Sequence, residues 1–487
     1  MLNKKILVTG GAGYIGSHAN ALLNTLGFQT IVLDNLVYGH KESLHYAPLP
    51  FSHKNVFTKN PTASSQNLET NNFAPTHTAH TQMAENPHSK LTCHTEHSEV
   101  SKKLDSRLFA NAQNDKEVIQ KRQDDKILNT TSSKTQTHST DSNILNTQDS
   151  VLNFLTQLEQ NFNGGGGVNP QDSILCDNLN SNLTSNNPNP PHLSHLSRQL
   201  HTAHKNTTFI HADLSDKATL DSIFSTYQIQ AVMHFAAFAY VGESVKDPSK
   251  YYYNNIANSL NLLESMRKAN VKNIIFSSTC ATYGHPLHLP ITESHPQNPI
   301  NPYGYSKLVV ENMLKDFNHA YGLNYVILRY FNAAGASMLF NIGESHSPET
   351  HLIPLLLQTA LGQRESLSIY GDDYPTKDGS CIRDYIHIDD LANAHILALK
   401  YLLNGGKSEV FNLGNGEGFS ILELLECASR LCGRQIPYTI ESRREGDPAV
   451  LIGDSSKAKQ ILGWKAHFAD IETILSSALA WHSNPRY

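Results

Sequence analysis

Two side chains on one predicted helix carry the clearest chemistry in this sequence. Tyr303 and Lys307 lie four residues apart in NPYGYSK, a spacing that puts both on one helical face. A free tyrosine has a pKa of about 10, and a neighbouring ammonium group favours the phenolate and so lowers that pKa. Thr279 ends a preceding apolar run in FSSTCATYG and offers a hydroxyl to hold a substrate oxygen. The three residues predict acid–base chemistry at a substrate hydroxyl.

A glycine-rich turn near the start predicts a dinucleotide site. TGGAGYIG lies between the apolar run KILV and a helical pattern, and it contains Gly10, Gly13 and Gly16. Such a turn lets the backbone approach a pyrophosphate at a helix N-terminus. The next apolar run ends at Asp34, which can bind both ribose hydroxyls and would repel a 2′-phosphate, so NAD is favoured over NADP. Asp213 ends the third run and is predicted to meet the adenine amino group.

Short apolar runs alternate with helical patterns over most of the chain. The runs are KILVTG, TIVLD, TTFIHAD, QAVMHFAA, NIIFSST and NYVILRYF. This alternation predicts an α/β fold with a Rossmann-type doubly wound parallel sheet. We predict an NAD-binding domain at 1–55 and 207–334. A smaller C-terminal α/β lobe for the substrate follows at 335–487, with some chain crossing between the two.

A stretch of different composition interrupts the predicted sheet between its second and third strands. Residues 56–206 are rich in Asn, Ser, Thr, Gln and His, and have too few apolar residues to offset the entropy of ordering the backbone. We expect a disordered, dispensable insert, apart from one marginal helix in 144–162. The alternatives are an arm that binds a partner, or a metal site at Cys93, His94 and His97. No other metal site is predicted.

Composition narrows the class of protein. The chain has 487 residues and a formal net charge of −6, which argues against a nucleic-acid surface. It has no apolar run near 18 residues, so no membrane span is predicted. Its six cysteines are scattered and are interpreted as reduced thiols. The start MLNKKILVTG lacks a signal-peptide cleavage site, and we therefore expect a cytoplasmic protein.

The sequence outside the insert resembles the extended short-chain dehydrogenase/reductase family, and within it the UDP-sugar 4-epimerases. The resemblance rests on LVTGGAGYIGSH, LDNL, HFAAFAYVGESV, YYYNN, FSSTCATYG, NPYGYSK, LRYFNAAGA, GDDYPTKDGSCIRDYIHIDDLANAH, FNLGNGEGFS and RREGDP. It implies interconversion of UDP-glucose and UDP-galactose by transient oxidation at C4 with tightly bound NAD, Tyr303 being the acid and base. It also implies a homodimer.

The resemblance assigns residues to both ligands. For NAD it implies contacts from Gly10, Gly13, Tyr14, Ile15, Gly16, Asp34, Asn35, Asp213, Leu214, Phe235, Ala236, Ala237, Asn255, Thr279, Tyr303, Lys307 and Phe331. For the UDP-sugar it implies contacts from Thr279, Tyr303, Asn332, His351, Tyr370, Arg383, Arg444, Asp447 and Leu451. Tyr370 would stack on uracil, and Arg383 and Arg444 would hold the diphosphate and ribose.

Four alternatives stay open. A nucleotide-sugar 4,6-dehydratase would carry Asp-Glu directly after Thr279, where this chain has Cys280 and Ala281. A UDP-N-acetylhexosamine 4-epimerase remains, since Leu451 is of intermediate size at the position that gates the sugar's 2-substituent. A UDP-pentose 4-epimerase also remains, since HFAAFAYVGES resembles that branch as well. A protein of a different class would bind a partner through the insert without catalysis.

Overall fold

The computed structural model describes residues 5–49, 150–151, 153–158, 203–444 and 447–487. The chain divides into two compact units, 1–51 with 138–487 and 52–137, and every described residue belongs to the first. The alternative metal site at Cys93, His94 and His97 therefore lies outside the described residues.

A seven-stranded parallel sheet forms the centre of this unit, in the order β11 (Glu409–Leu413), β6, β5, β4, β1, β2 and β3. Its first six strands are β1 (Lys5–Thr9), β2 (Gln29–Asp34), β3 (Thr207–His211), β4 (Ile229–His234), β5 (Asn273–Thr279) and β6 (Asn324–Tyr330). They coincide with the six apolar runs, and the predicted Rossmann-type sheet is confirmed. The seventh strand comes from the stretch predicted as the substrate lobe and pairs with β6.

Helices cover both faces of the sheet and also build the smaller part of the unit. They are α1 (Tyr14–Thr25), α2 (Lys217–Thr226), α3 (Val241–Lys246), α4 (Pro248–Tyr251), α5 (Asn258–Lys268), α6 (Pro302–Tyr321), α7 (Leu352–Ala360), α8 (Ile388–Leu403), α9 (Ile421–Cys432), α10 (Ser456–Leu462) and α11 (Ile471–Ser483). A π-helical turn (Tyr252–Ala257) precedes α5, and 3₁₀ turns lie at Lys41–Leu44, Ala203–Asn206 and Cys280–Thr282. None of the described helices is both long and apolar enough to span a membrane.

The alternation of side chains along each strand builds a core on either face. In β1, Ile6 and Val8 join the apolar cluster under α1 and α8, while Leu7 joins the cluster under α2, α5 and α6. A parallel sheet buried on both faces brings the carboxyl ends of its strands to one edge. Ligands of such folds bind at that edge.

Short strands and three helices form the second, smaller part. The strands are β7 (Asn332–Ala334), β8 (Leu367–Tyr370), β9 (Ile382–Arg383), β10 (Tyr385–His387), β11 (Glu409–Leu413), β12 (Phe419–Ser420), β13 (Tyr438–Glu441) and β14 (Val450–Leu451). Apart from β11, they pair as β10-β7, β12-β9-β14 and β13-β8. α7, α9 and α11 pack around a separate apolar cluster beside these strands.

One helix of the insert packs into the main core. We call 150–151 and 153–158 the inserted helix; it lies within the stretch 144–162. Val151, Phe154, Leu155 and Leu158 are buried, Phe154 completely. The Phe154 ring lies 5.5 Å from that of Phe468. The inserted helix thus covers an apolar face of the body of the protein.

Candidate active site

A cleft of about 1260 Å³ lies at the carboxyl edge of the large sheet and extends to the smaller part. The residues predicted for both ligands line this cleft, with the exception of Asn255. Asn255 is buried, and its amide group bonds both backbone polar groups of Phe238 at 2.9 Å. Its position therefore supports the cleft wall from behind.

The glycine turn brings β1, α1 and the end of β4 into close contact. Gly10 has φ of +70°, and a Cβ there would lie 2.5 Å from the Ala236 nitrogen. A Cβ at Gly16 would lie 2.2 Å from the Gly10 carbonyl oxygen. Gly13 is different, because an added Cβ would approach only that carbonyl, at 3.4 Å, and Gly13 lines the cleft. The turn therefore leaves open space at the N-terminus of α1, which fits a bound pyrophosphate.

Asp34 ends β2 inside the cleft. Its carboxylate accepts hydrogen bonds from the backbone nitrogens of Ala12, at 2.9 Å, and Leu36, at 2.8 Å. Burial raises the pKa of Asp34 above its usual range, and these hydrogen bonds act in the opposite direction. The carboxylate is thus fixed against the glycine turn, the place at which the sequence predicts a ribose.

Asp213 and Asn35 form a second polar group at this edge. Asn35 Nδ2 donates to Asp213 Oδ2 at 2.5 Å, and the backbone nitrogen of Ser215 donates to Asp213 Oδ1 at 2.8 Å. Burial acts to raise the pKa of Asp213, but the bonds from Ser215 and Asn35 outweigh it and the pKa is lowered. Asp213 therefore stays an anionic acceptor beside the predicted adenine site.

The Tyr303–Lys307 pair is buried on the first turns of α6, where Asn301 caps the helix by accepting from Gly304 N at 2.8 Å. Lys307 Nζ donates to the Ser277 carbonyl at 2.8 Å, and burial lowers the pKa of Lys307 to about 7. Burial also raises the pKa of Tyr303 well above 10. In the protein alone burial outweighs the predicted lowering, and the phenol keeps its proton.

Thr279 ends β5 beside this pair. Its hydroxyl accepts from the Ala281 nitrogen at 3.1 Å, and its interaction with Tyr303 favours the phenolate. Burial raises the pKa of the next residue, Cys280, to about 12, so its thiol stays neutral near pH 7. The end of β5 thus offers a hydroxyl and no ionised acid or base.

Two arginines enter the cleft from the smaller part. Arg383 Nη2 donates to Asp447 Oδ1 at 2.5 Å, and the guanidinium is largely buried. The Arg444 guanidinium lies 3.9 Å from the ring centre of Tyr370. Burial opposes the charge of Arg383, but Asp447 outweighs it and raises the arginine's pKa. Arg383 is thus held in place by Asp447, and the guanidinium groups of Arg383 and Arg444 are suited to binding a diphosphate.

The remaining predicted substrate residues lie in the same wall. Asn332 Nδ2 donates to the Asp384 carbonyl at 2.8 Å. Leu451 packs beside Phe331 in a small apolar cluster. His351 immediately precedes α7, and its Nδ1 contacts Glu344 Oε1.

Sequence reasoning missed the buried carboxylate that holds these loops. Asp384 is fully buried and accepts from the backbone nitrogens of Asn415 at 2.8 Å and of Gly416 and Gly453 at 3.2 Å. Burial raises the pKa of Asp384 to about 7. The signal was present in CIRDYIH, where only the arginine was considered.

Sequence reasoning also passed over a pair of polar residues in the cleft. Glu344 and His346 line it near His351, and the signal was the alternation of Glu and His in GESHSPETH.

Comparison with known proteins agrees with this geometry. The family model described as "NAD dependent epimerase/dehydratase family" matches residues 6–90 and 175–414, and the gap lies inside the predicted insert. The UDP-glucose 4-epimerase of Halalkalibacterium halodurans is 55% identical over 275 residues, which are 56% of this chain and 82% of that protein. The UDP-glucose 4-epimerase of Brucella ovis in complex with NAD superposes with a TM-score of 0.63 and 33% identity, covering 98% of this chain and 97% of that chain.

A second solved structure was found with both an oxidised cofactor and a nucleotide. The UDP-glucose 4-epimerase of Bifidobacterium longum in complex with NAD+ and UDP has a TM-score of 0.63 and 27% identity, with 99% of each chain covered. Sequence and structure lead to the same assignment, and the chain belongs to the NAD dependent epimerase/dehydratase family.

Proposed function

We propose that this protein interconverts UDP-glucose and UDP-galactose at C4 with bound NAD, Tyr303 being the acid and base. The observation that carries the proposal is the meeting of Tyr303, Lys307 and Thr279 in one cleft with the glycine turn. The relatives named UDP-glucose 4-epimerase support the choice of sugar, and their complexes with NAD support the cofactor.

Tyr303 would transfer the proton, and Thr279 and Lys307 would assist it. NAD, when bound, supplies the hydride acceptor and later the donor, and its cationic ring favours the Tyr303 phenolate. The phenolate takes the proton of the 4-hydroxyl and returns it after the sugar has turned over. Thr279 holds the 4-oxygen. Lys307, fixed on the Ser277 carbonyl, adds positive charge near the phenolate when it is protonated.

The same site argues against the dehydratase alternative. Elimination of water across C5 and C6 needs a further acid and base beside the sugar. The residues that follow Thr279 are Cys280, whose pKa burial raises to about 12, and Ala281. Neither exchanges a proton near pH 7, which supports a reversible oxidation at C4 alone.

The smaller part supplies the proposed nucleotide contacts. Arg383 and Arg444 provide positive charge for a diphosphate, and Tyr370 provides a ring for uracil. The complex of the Bifidobacterium longum enzyme with NAD+ and UDP supports a cleft that takes both ligands. Leu451, next to Phe331, would limit space at the sugar's 2-position.

The test is turnover of matched substrates by the purified protein. UDP-galactose, UDP-N-acetylgalactosamine and a UDP-pentose are incubated separately, and the 4-epimers are quantified by chromatography. We expect UDP-galactose to give the highest kcat/KM. Turnover of only the acetylated sugar or only the pentose would replace the proposed substrate.

We further propose a homodimer formed through the faces of α5 and α6. Tyr253, in the π-helical turn before α5, is 73% exposed, and Leu260 on α5 and Tyr305 on α6 are also exposed. Such apolar groups favour burial in an interface. Light scattering after size exclusion should give twice the chain mass for the wild type and a smaller mass for Tyr253→Asp. A monomeric wild type would contradict the proposal.

The free thiols of Cys280, Cys381, Cys427 and Cys432 support a cytoplasmic location.

A further inference from the structure

A cluster of two carboxylates and two imidazoles precedes α7. Glu344, His346, Glu349 and His351 each direct one ligand atom into a common space, and these atoms all lie within 4.8 Å of one another. We infer that this cluster, here called the 344–351 site, binds one Zn²⁺ ion.

The charge of the cluster suits a divalent cation. The side chains of Glu344 and Glu349 are only 4% and 6% exposed. Among the described residues, only histidines form ion pairs with these two carboxylates. Burial of ionised carboxylates is costly unless positive charge is close. In the protein without metal, His346 and His351 supply this positive charge. One divalent ion would take their place and leave both imidazoles neutral.

The donor atoms suit zinc. His351 Nδ1 and Glu344 Oε1 are hydrogen-bonded to each other, and the two atoms would move apart to share one ion. Zinc takes nitrogen and oxygen ligands tetrahedrally at about 2.0–2.2 Å, which puts neighbouring ligand atoms about 3.3–3.6 Å apart. His346 Nδ1 lies 3.3 Å from Glu344 Oε1 and 3.8 Å from Glu349 Oε2. Magnesium and calcium prefer sites made only of oxygen, whereas imidazole favours zinc and its neighbours.

A second observation at the site concerns His346. Its Nδ1 is buried and has no hydrogen bond of good geometry, although the Glu344 oxygen is near. The rings of Tyr14 and Tyr240 pack edge-on against the imidazole, with centroids 6.4 Å and 6.1 Å away. The ring is thus held with an unsatisfied nitrogen directed at two carboxylates. His351, with its side chain 45% exposed, leaves a way in for the ion.

Zinc at this site would also orient His351. Coordination through Nδ1 requires the proton of a neutral imidazole to lie on Nε2, which then is a hydrogen-bond donor. His351 lines the cleft, so this donor would serve the diphosphate of the substrate. This last step rests on the proposed function, whereas zinc binding does not.

The experiment measures zinc in the full-length protein. After dialysis against a chelator and then against ZnCl₂, metal per chain is determined for the wild type, for the double variant His346→Asn/Glu349→Gln, and for His319→Asn. His319 is exposed at the end of α6 and serves as the matched control. We expect the double variant to hold one zinc fewer per chain than the other two. Because the insert contains many histidines, the difference between proteins is the readout.

Two further readouts keep the test decisive if the double variant is unstable. Zinc should raise the melting temperature of the wild type and of Glu349→Gln to different extents, with the larger rise in the wild type. Anomalous diffraction at the zinc edge should give a peak among the four ligand atoms. Equal zinc content in all proteins, or no peak at the 344–351 site, would overturn the inference. Absence of UDP-galactose turnover in a zinc-loaded protein would instead refute the proposed function alone.

Discussion

The inserted helix offers a prediction that sequence composition alone would not give. Phe154→Ala removes a completely buried ring that lies against Phe468. A Phe-to-Ala change in a core costs about 3–5 kcal/mol. Four buried side chains hold the helix, and at about 1.5–3 kcal/mol each they contribute about 6–12 kcal/mol. Ordering eight backbone residues opposes this by about 8–16 kcal/mol before helical hydrogen bonds are counted.

The effect of Phe154→Ala follows from the small difference between the free energy of side-chain burial and that of backbone ordering. The loss at Phe154 is large relative to the net docking free energy, so the helix should detach while the remaining unit stays folded. Amide hydrogen exchange in 153–158 should accelerate about a hundredfold or more, at about 1.4 kcal/mol per tenfold. Asn153→Ala, on the exposed side of the same helix, should leave that exchange unchanged. Equal protection in Phe154→Ala and the wild type would refute the docking of the inserted helix.

Two deletions separate the insert from its helix. Removing 60–137 keeps the inserted helix, and we expect turnover within a few fold and an unchanged melting temperature. Removing 56–206 also removes the inserted helix and exposes the apolar face around Phe468 that it covers. We expect similar turnover at a lower melting temperature. Equal melting temperatures would mean that the inserted helix adds no stability.

Three other predictions concern the main unit. Glu311→Gln leaves the guanidinium of Arg329 buried without its partner at 2.5 Å, and should lower the free energy of unfolding by about 3–5 kcal/mol in urea titrations; a loss under 1 kcal/mol would contradict this. Burial lowers the folded-state pKa of Lys307 to about 7 from 10.5, so the folded state loses stability as the pH falls from 10.5 to 7. Lys307→Met should therefore stabilise NAD-depleted protein more at pH 7 than at pH 10, and a pH-independent difference would count against it. Gly10→Ala puts a Cβ 2.5 Å from Ala236 N at positive φ, and should abolish retention of NAD as measured by absorbance after denaturation; full retention would disprove the tight turn.

The sequence predicted most of the sheet because local patterns encode it. The six apolar runs became β1 to β6, and the turn at Gly10 and Gly16 lies where β1 meets α1. The seventh strand, Glu409–Leu413, was predicted outside this sheet because its pairing with β6 joins residues over 80 positions apart. Periodicity carries no information about such distant partners.

The sequence predicted the residues that line the candidate site, from the spacing of motifs and from resemblance. It did not predict the buried residues that hold them in place. Asp384 acts through backbone nitrogens of three distant positions. Glu344 and His346 form a cluster with His351 because the turn before α7 brings these side chains together, and the sequence alone does not show this contact. Asn255 was predicted in the cleft, yet its side chain is used by the Phe238 backbone.

The most direct test of the proposed chemistry is the turnover of UDP-galactose by Tyr303→Phe. Loss of a positioned acid and base typically costs about 10²–10⁴-fold in rate. We therefore expect kcat to fall at least about a hundredfold, with bound NAD and melting temperature retained because the ring stays. Tyr305→Phe, two residues along α6 and half exposed, is the matched control and should keep wild-type kcat. If Tyr303→Phe epimerised UDP-galactose within a few fold of the wild-type rate, the proposed catalytic role of Tyr303 would be wrong.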